Sequence, residues 1–370
     1  MSGDVASESL RIRIVGTGLI GASLGMALSR KGFQVSLDDP SPTAAALARD
    51  LGAGVLAADT LGDPDVVVVA APPDVVADVV ARELSRWPNA VVTDAASVKG
   101  SVLRALQEKD VDLSRYVGSH PMAGREKSGA VAAQVDLFEG RSWVVAPGPK
   151  AAAGAVELVR RVAAAAGSAV LVMTPAEHDA AVAAVSHVPQ IAASLVASQL
   201  LELSSSAVAL SGQGIRDVTR IAASDPSMWT QILVGNAPAV RGVLESMAEQ
   251  LDAVLAALRR LESDSGHGTV GARAVLARTV ADGNAGHARI PGKHGAAPTT
   301  YAAVVVVVPD EPGALGRLLR DVGNAGVNME DLHIEHGVGQ PFGLAELSVL
   351  PAAVAPLMTA LSSLGWRVHE

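Results

Sequence analysis

A chain of 370 residues exceeds one ordinary hydrophobic core, so two or three domains are expected. Its formal net charge of −9 gives a nucleic-acid partner no electrostatic help, and the lack of cysteine excludes disulfides, thiolate metal sites and a cysteine nucleophile. Hydrophobic residues make up 49% but aromatics only 2%, so the apolar surface is built from small side chains that suit parallel strands and closely packed helices.

The first segment, MSGDVASES, lacks the basic and apolar regions of a signal peptide. Apolar runs such as Val66–Ala71 and Ala302–Val308 are strand-length and far short of a bilayer span, so the expectation is a soluble, cytoplasmic protein with no membrane partner. From Arg11 to Pro147, short β-branched runs alternate with helical stretches. Arg11–Gly16, Phe33–Asp38, Asp65–Ala70, Ala90–Ala95, Tyr116–His120 and Ser142–Pro147 read as strands. Their unbroken apolar character indicates burial on both faces, as in a doubly wound, Rossmann-like α/β domain with a parallel sheet, assigned to residues 1–149.

Beyond Lys150 a helix and the strand SAVLVM lead to Thr174-Pro-Ala-Glu177, a capping box with proline at the first helical position. The pattern is then helical to about Leu261, interrupted at Pro189, Gly212–Gly214 and Pro226, which gives a mainly helical domain over 150–285. The stretch 262–300 is rich in Gly, His and Ala and reads as linker with partial order, although residues 272–283 could add a helix. Residues 286–300 are taken as the linker itself. From Tyr301 the order is βαββαβ, a ferredoxin-like split unit over 301–370.

The first strand runs into Gly16-Thr17-Gly18-Leu19-Ile20-Gly21, with a helix from about Leu19. The three glycines permit a tight turn, close backbone approach to a pyrophosphate, and close packing of helix on strand. The helix N-terminus offers N–H groups and partial positive charge to the diphosphate. Asp38 ends the second strand, where a carboxylate accepts both ribose hydroxyls. With no Arg beside Asp38 and Asp39 in the sequence, NAD is favoured over NADP. The overlapping Gly21-Ala-Ser23-Leu-Gly25 imitates a hydrolase nucleophile elbow, but Ser23 falls a turn inside the helix and reads as a small packing residue.

Nine histidines are available as a base for alcohol oxidation. His178 falls in the first turn of a helix and reads as solvated or packed. His267, His287 and His294 lie in the linker without metal-ligand spacing, and His333 and His336 fall on opposite strand faces, so no metal site is expected. His120 stands apart because it ends a strand at the C-terminal edge of the sheet, where ligands of open α/β folds bind.

GTGLIGASLGMAL, TDAASVKG (Thr93–Gly100), GSHPMAGREKSG (Gly118–Gly129), SHVPQ (Ser186–Gln190) and IRDVTRIAASDPSMW (Ile215–Trp229) together resemble the prephenate dehydrogenase family, with arogenate dehydrogenases as near relatives. The resemblance implies NAD-dependent oxidative decarboxylation of prephenate to 4-hydroxyphenylpyruvate in tyrosine biosynthesis. It assigns His120 as the base, Ser97 as a second contact to the substrate hydroxyl, Arg220 as the carboxylate anchor and His187 as a substrate or pocket residue. Glu126 and Asp217 would form an ionic gate, and the helices would make a homodimer. Ser97 could equally cap the helix beginning near Lys99, Arg220 could pair with Asp217 or Asp225, and His187 could be a satisfied core histidine. Trp229 most simply packs the helical domain.

The last seventy residues resemble an ACT domain through DEPGALGRLL and GVNMEDL. That implies tyrosine as an effector, with Asp310, Glu311, Pro312, Gly313 and Asn328 as candidate contacts; a dimerisation module without ligand is the alternative. Two rival readings remain for the whole chain. One is arogenate dehydrogenase, which would differ in accepting a side-chain ammonium. The other is a non-catalytic regulator that binds NAD and an amino acid, which leaves the motif positions of His120, Ser97 and Arg220 unexplained.

Overall fold

The computed structural model describes residues 10–59, 62–124, 129–263, 269–291, 301–336 and 341–369. Eight strands form one sheet: β1 (Arg11–Val15), β2 (Gln34–Asp38), β3 (Val55–Leu56), β4 (Val66–Val69), β5 (Val91–Asp94), β6 (Tyr116–Pro121), β7 (Ser142–Pro147) and β8 (Ala169–Val172), in the order β3-β2-β1-β4-β5-β6-β7-β8. The helices that cross between them are α1 (Leu19–Arg30), α2 (Pro42–Asp50), α3 (Val76–Arg86), α4 (Gly100–Gln107) and α5 (Ala153–Ala165).

The four consecutive valines of β4 are all buried because alternate residues serve different layers. Val66 and Val68 join Ile12 and Ile14 beneath α1 and α5, while Val67 and Val69 join Val15 beneath α3 and α4. Each such side chain stabilises by about 1.5–3 kcal/mol relative to exposure, which fixes the register of a strand that carries no polar marker. The chain reverses its direction of sheet growth between β1 and β4, and this switch point opens a crevice at the strands' C-terminal ends.

The expected all-parallel sheet needs correction. β7 runs antiparallel to β6, and β8 then runs parallel to β7, so the sheet is mixed and extends to Val172. The apolar run of β7 reports burial on both faces but carries no information on direction. β3, only two residues long, gave no periodic signal.

The helical region comprises α6 (Pro175–Val182), α7 (Val188–Ser198), α8 (Ser205–Val208), α9 (Gln213–Thr219), α10 (Pro226–Gly235), α11 (Ala237–Ser263) and α12 (Thr269–His287). A π-helical turn, Ala183–His187, joins α6 to α7. The run Pro175–Glu202 is long and apolar enough in composition to cross a membrane. It nevertheless carries buried His178, Asp179, His187 and Gln190, whose polar groups are hydrogen-bonded within the protein. α12 contains the whole of residues 272–283, where the sequence allowed a helix. Through Ile232 and the partly buried Trp229, α10 packs into the layer formed by α3 and α4.

The chain forms two compact units, residues 1–249 and 250–370. The second contains β9 (Ala302–Pro309), α13 (Ala314–Asn324), β10 (Asp331–His336), β11 (Phe342–Val349), α14 (Val354–Ser363) and β12 (Arg367–His369). Its sheet has the order β10-β11-β9-β12 with every pair antiparallel. Here only one sheet face is covered. Val304, Val306 and Val308 alternate with half-buried neighbours, and they meet Leu318 and Val322 of α13 and Leu357 and Leu361 of α14.

Candidate active site

At the switch point the glycine loop is built for close contact. Gly16 has φ +98°, and a Cβ on Gly21 would lie 1.8 Å from the Gly16 carbonyl oxygen, so α1 can seat on β1 only with glycine there. Gly18, by contrast, has no atom within 4 Å of where its Cβ would stand. A side chain there would fill the space above the first turn of α1, which has no side-chain cap. The first helical bond there is from the Ala22 N–H to the Gly18 oxygen, so the N–H groups of Leu19 and Ile20 face outward for an anion. This cradle fits the diphosphate of a dinucleotide. Ser23 is fully buried and accepts a hydrogen bond from the Gln134 N–H, the packing role expected of it.

The two acids after β2 are already engaged. Asp39 accepts from the Thr17 N–H at 2.7 Å and the Thr17 hydroxyl at 3.0 Å, which ties the glycine loop down. Asp38 pairs through Oδ2 with Arg13, whose Nε binds Glu83 at 3.0 Å. An arginine therefore does stand beside Asp38, reaching it from β1 rather than from the neighbouring sequence. Arg13 is only 4% exposed and is engaged by two carboxylates, so it presents no uncompensated charge to a 2′-phosphate. Asp38 remains 39% exposed, as a ribose acceptor requires.

His120 occupies the C-terminal tip of β6, the edge at which the parallel strands β1, β4 and β5 also end. Its Nδ1 lies 2.9 Å from Nε2 of His178, and His178 Nδ1 lies 2.8 Å from Asp179 Oδ1. His178 is fully buried, so of its two readings the solvated one fails and the packed one stands, with a hydrogen-bond partner on each ring nitrogen. Burial, followed by the charges of His178, Lys99 and His187, drives the His120 pKa well below its usual 6.5. That direction favours the uncharged imidazole at neutral pH. Burial disfavours the charge on Asp179, but hydrogen bonds from His178 and from the N–H groups of Lys99 and Gly100 outweigh it and lower its pKa.

Lys99 was not singled out in the sequence, yet it is buried beneath the same strand tips. Its Nζ pairs with Asp94 and donates to the Ser119 carbonyl at 2.6 Å, while the Tyr116 hydroxyl donates to Asp94 at 2.7 Å. Burial pushes the Lys99 pKa down against the opposing pull of Asp94. Half-buried Ser97 lies on the loop just before Lys99. It does not cap α4: that helix begins at Gly100, and the Asp179 carboxylate takes the N–H groups at its start.

On the helical side, His187 ends the π-helical turn and is 1% exposed. Its Nδ1 is 3.1 Å from Asn236 Nδ2, which also donates to the Asp179 carbonyl at 2.8 Å, and its ring meets Trp229 edge-on at 6.1 Å. Burial first, with a contribution from His178, lowers the His187 pKa against Asp179. The satisfied-histidine reading thus has its partner, Asn236, which sequence reasoning missed. Trp229 packs against the sheet domain's layer as well as against this histidine. Arg220 begins the 3-10 turn Arg220–Ala222, which packs on α7, and its side chain is exposed. Asp217 accepts from Gln213 at 2.8 Å and Asp225 caps α10. Glu126, the other half of the expected gate, lies outside the described residues.

In the C-terminal unit, Gly313 has φ +86° and caps α13. Asp310 N–H bonds to the Pro341 oxygen, and Asn328 donates to Glu330 at 2.8 Å. Glu311 and Pro312 are exposed in the same turn. Among the described residues, no group of three or more His, Asp or Glu could hold a metal.

Residues 24–180 match the family described as prephenate dehydrogenase, nucleotide-binding domain, and residues 174–269 match prephenate dehydrogenase, dimerization domain. Over 359 residues the chain is 37% identical to a probable prephenate dehydrogenase, NovF, of Streptomyces niveus, covering 96% of this chain and 99% of that protein. It is 27% identical to the prephenate dehydrogenase of Bacillus subtilis, covering 83% of each. Among solved structures it resembles prephenate dehydrogenase from A. aeolicus in complex with hydroxyphenyl propionate and NAD+. The TM-score is 0.63 at 28% identity, over 75% of this chain and 99% of that one.

Proposed function

Since the chain belongs to the prephenate dehydrogenase family, we propose that His120 takes the proton of the substrate hydroxyl while Arg220 holds a substrate carboxylate. The activity itself is NAD-dependent oxidation of prephenate. The observation that carries the catalytic reading is the His120 imidazole at the tip of β6, its pKa lowered by burial, on the same sheet edge as the dinucleotide cradle.

NAD supplies the hydride acceptor. His120 would take the proton of the C4 hydroxyl as hydride leaves C4 and the ring carboxylate departs as CO2, and would return it to the resulting phenolate oxygen to give 4-hydroxyphenylpyruvate. The electron pair of the broken C–C bond completes the aromatic ring, which makes the step essentially irreversible. Ser97 orients the same hydroxyl. Arg220 contributes a permanently charged, planar fork suited to a carboxylate, and His187 shapes the pocket beside it. Asp217 would gate the entrance together with Glu126. Purified protein assayed with prephenate and with arogenate, each with NAD and with NADP, tests this assignment. Turnover of prephenate with NAD is expected; preference for arogenate would move the substrate assignment, and no turnover of either would favour the regulator.

The same reading makes the protein a homodimer through its helical region. Leu233, Val234, Val240 and Leu244 line an apolar cleft of about 550 Å³ on α10 and the start of α11, a surface suited to a second copy. It also makes residues 301–370 an ACT-like tyrosine sensor using Asp310, Glu311, Pro312, Gly313 and Asn328. The βαββαβ order and its one-faced antiparallel sheet support that module. Deleting residues 301–370 is expected to retain turnover and abolish inhibition by tyrosine in initial-rate assays; inhibition that survives the deletion would put the effector elsewhere.

A further inference from the structure

We propose that His178, backed by Asp179, is a positioning residue that fixes the tautomer of His120 and so decides which ring nitrogen acts as base. The proposal rests on His120 being the base, as argued above. An ionised Asp179 can only accept, so the hydrogen of His178 resides on Nδ1. In a singly protonated ring His178 Nε2 is then an acceptor, and the group 2.9 Å away, His120 Nδ1, must donate to it. His120 Nε2 is left with the lone pair. The alternative tautomer would set two lone pairs against each other in a half-buried contact, which forfeits the hydrogen bond and leaves the fully buried His178 Nε2 unsatisfied.

Asp179 has a second task. Its Oδ1 accepts from the Lys99 N–H at 2.9 Å and its Oδ2 from the Gly100 N–H at 2.8 Å. A Cβ on Gly100 would stand 2.7 Å from Oδ2, so glycine keeps that approach open. One carboxylate therefore anchors both the orienting partner of His120 and the end of the loop that carries Ser97. The two groups assigned to the substrate hydroxyl are held to a common reference on α6, whose His178 lies 58 residues along the chain from His120. An oriented base backed by a carboxylate is the logic of a catalytic triad, here with a second imidazole inserted.

The test uses the full-length enzyme. His178→Phe, which keeps a ring but removes the acceptor, is expected to lower kcat about 10- to 100-fold, the usual scale for residues that orient a reacting group. The KM for prephenate and the NAD affinity should stay within about twofold, since neither is held by His178. His178→Gln, whose amide oxygen can accept from His120 Nδ1, should recover part of the loss. Unchanged kcat in the Phe variant, or no recovery with Gln, would overturn the proposal. Nitrogen NMR of the histidine-labelled wild-type protein decides independently of whether either variant folds. Hydrogen on His120 Nδ1 is the expected result, and hydrogen on Nε2 refutes the role. An active His120→Asn control would instead place the failure in the base assignment.

Discussion

Replacing His120 with asparagine is expected to lower kcat by about two to four orders of magnitude, the contribution of a positioned general base. The amide is of similar reach and can still donate to His178 Nε2, so the contact that holds the residue survives. What is lost is a lone pair able to accept a proton. NAD affinity should be unaffected, because the cradle runs from Gly16 to Gly21 on a different loop. The wild-type pH profile provides a second check. A base works only when deprotonated, and burial, then His178, Lys99 and His187, lower the pKa of His120. The acid limb of kcat/KM should therefore lie below 6.5, with activity flat through neutrality, and that limb should vanish in the variant. Turnover within about tenfold of wild type would remove His120 from the chemistry.

Arg220→Gln is expected to raise the KM for prephenate about 10- to 100-fold, the range set by losing a charge-assisted hydrogen bond of roughly 1.5–3 kcal/mol. Glutamine retains length and some hydrogen-bonding capacity but neither the charge nor the fork. Arg220 lies on an exposed turn against α7, away from the glycine loop in the chain, so the NAD dissociation constant should hold. Steady-state kinetics with prephenate varied, together with NAD titration by fluorescence, separates the two effects. An unchanged KM would transfer the carboxylate to another cation.

Local pattern carried the strands and the cofactor loop. Val66–Val69 is legible because a fully apolar quartet between turn residues has few other uses, and Thr174–Glu177 because a capping box is written in adjacent residues. What failed was long-range. The direction of β7 depends on how the chain returns from β6, and its hydrophobicity is the same either way. The partnership of His120 with His178 spans 58 residues, and in sequence the first turn of a capped helix fits a solvated or a packed side chain alike. Lys99 and Asn236 were missed because an isolated Lys or Asn gives no sign of being buried; each is placed by partners on other elements. The likeness to known enzymes suggests His120, Ser97, Arg220 and His187 as a set, but the chemistry of their surroundings depends on the folded arrangement.

Any attempt to recode this enzyme for NADP would begin by deleting the acid at the end of β2. Here that acid is also the outer partner of an arginine that is 4% exposed, whose other contact, Glu83, is fully buried. A neutral residue at Asp38 would remove one of the two carboxylates on Arg13 and leave the arginine paired with the buried Glu83 alone. Coenzyme preference and the pairing of a buried arginine are thus joined at one side chain, and a redesign at Asp38 also frees one side of Arg13.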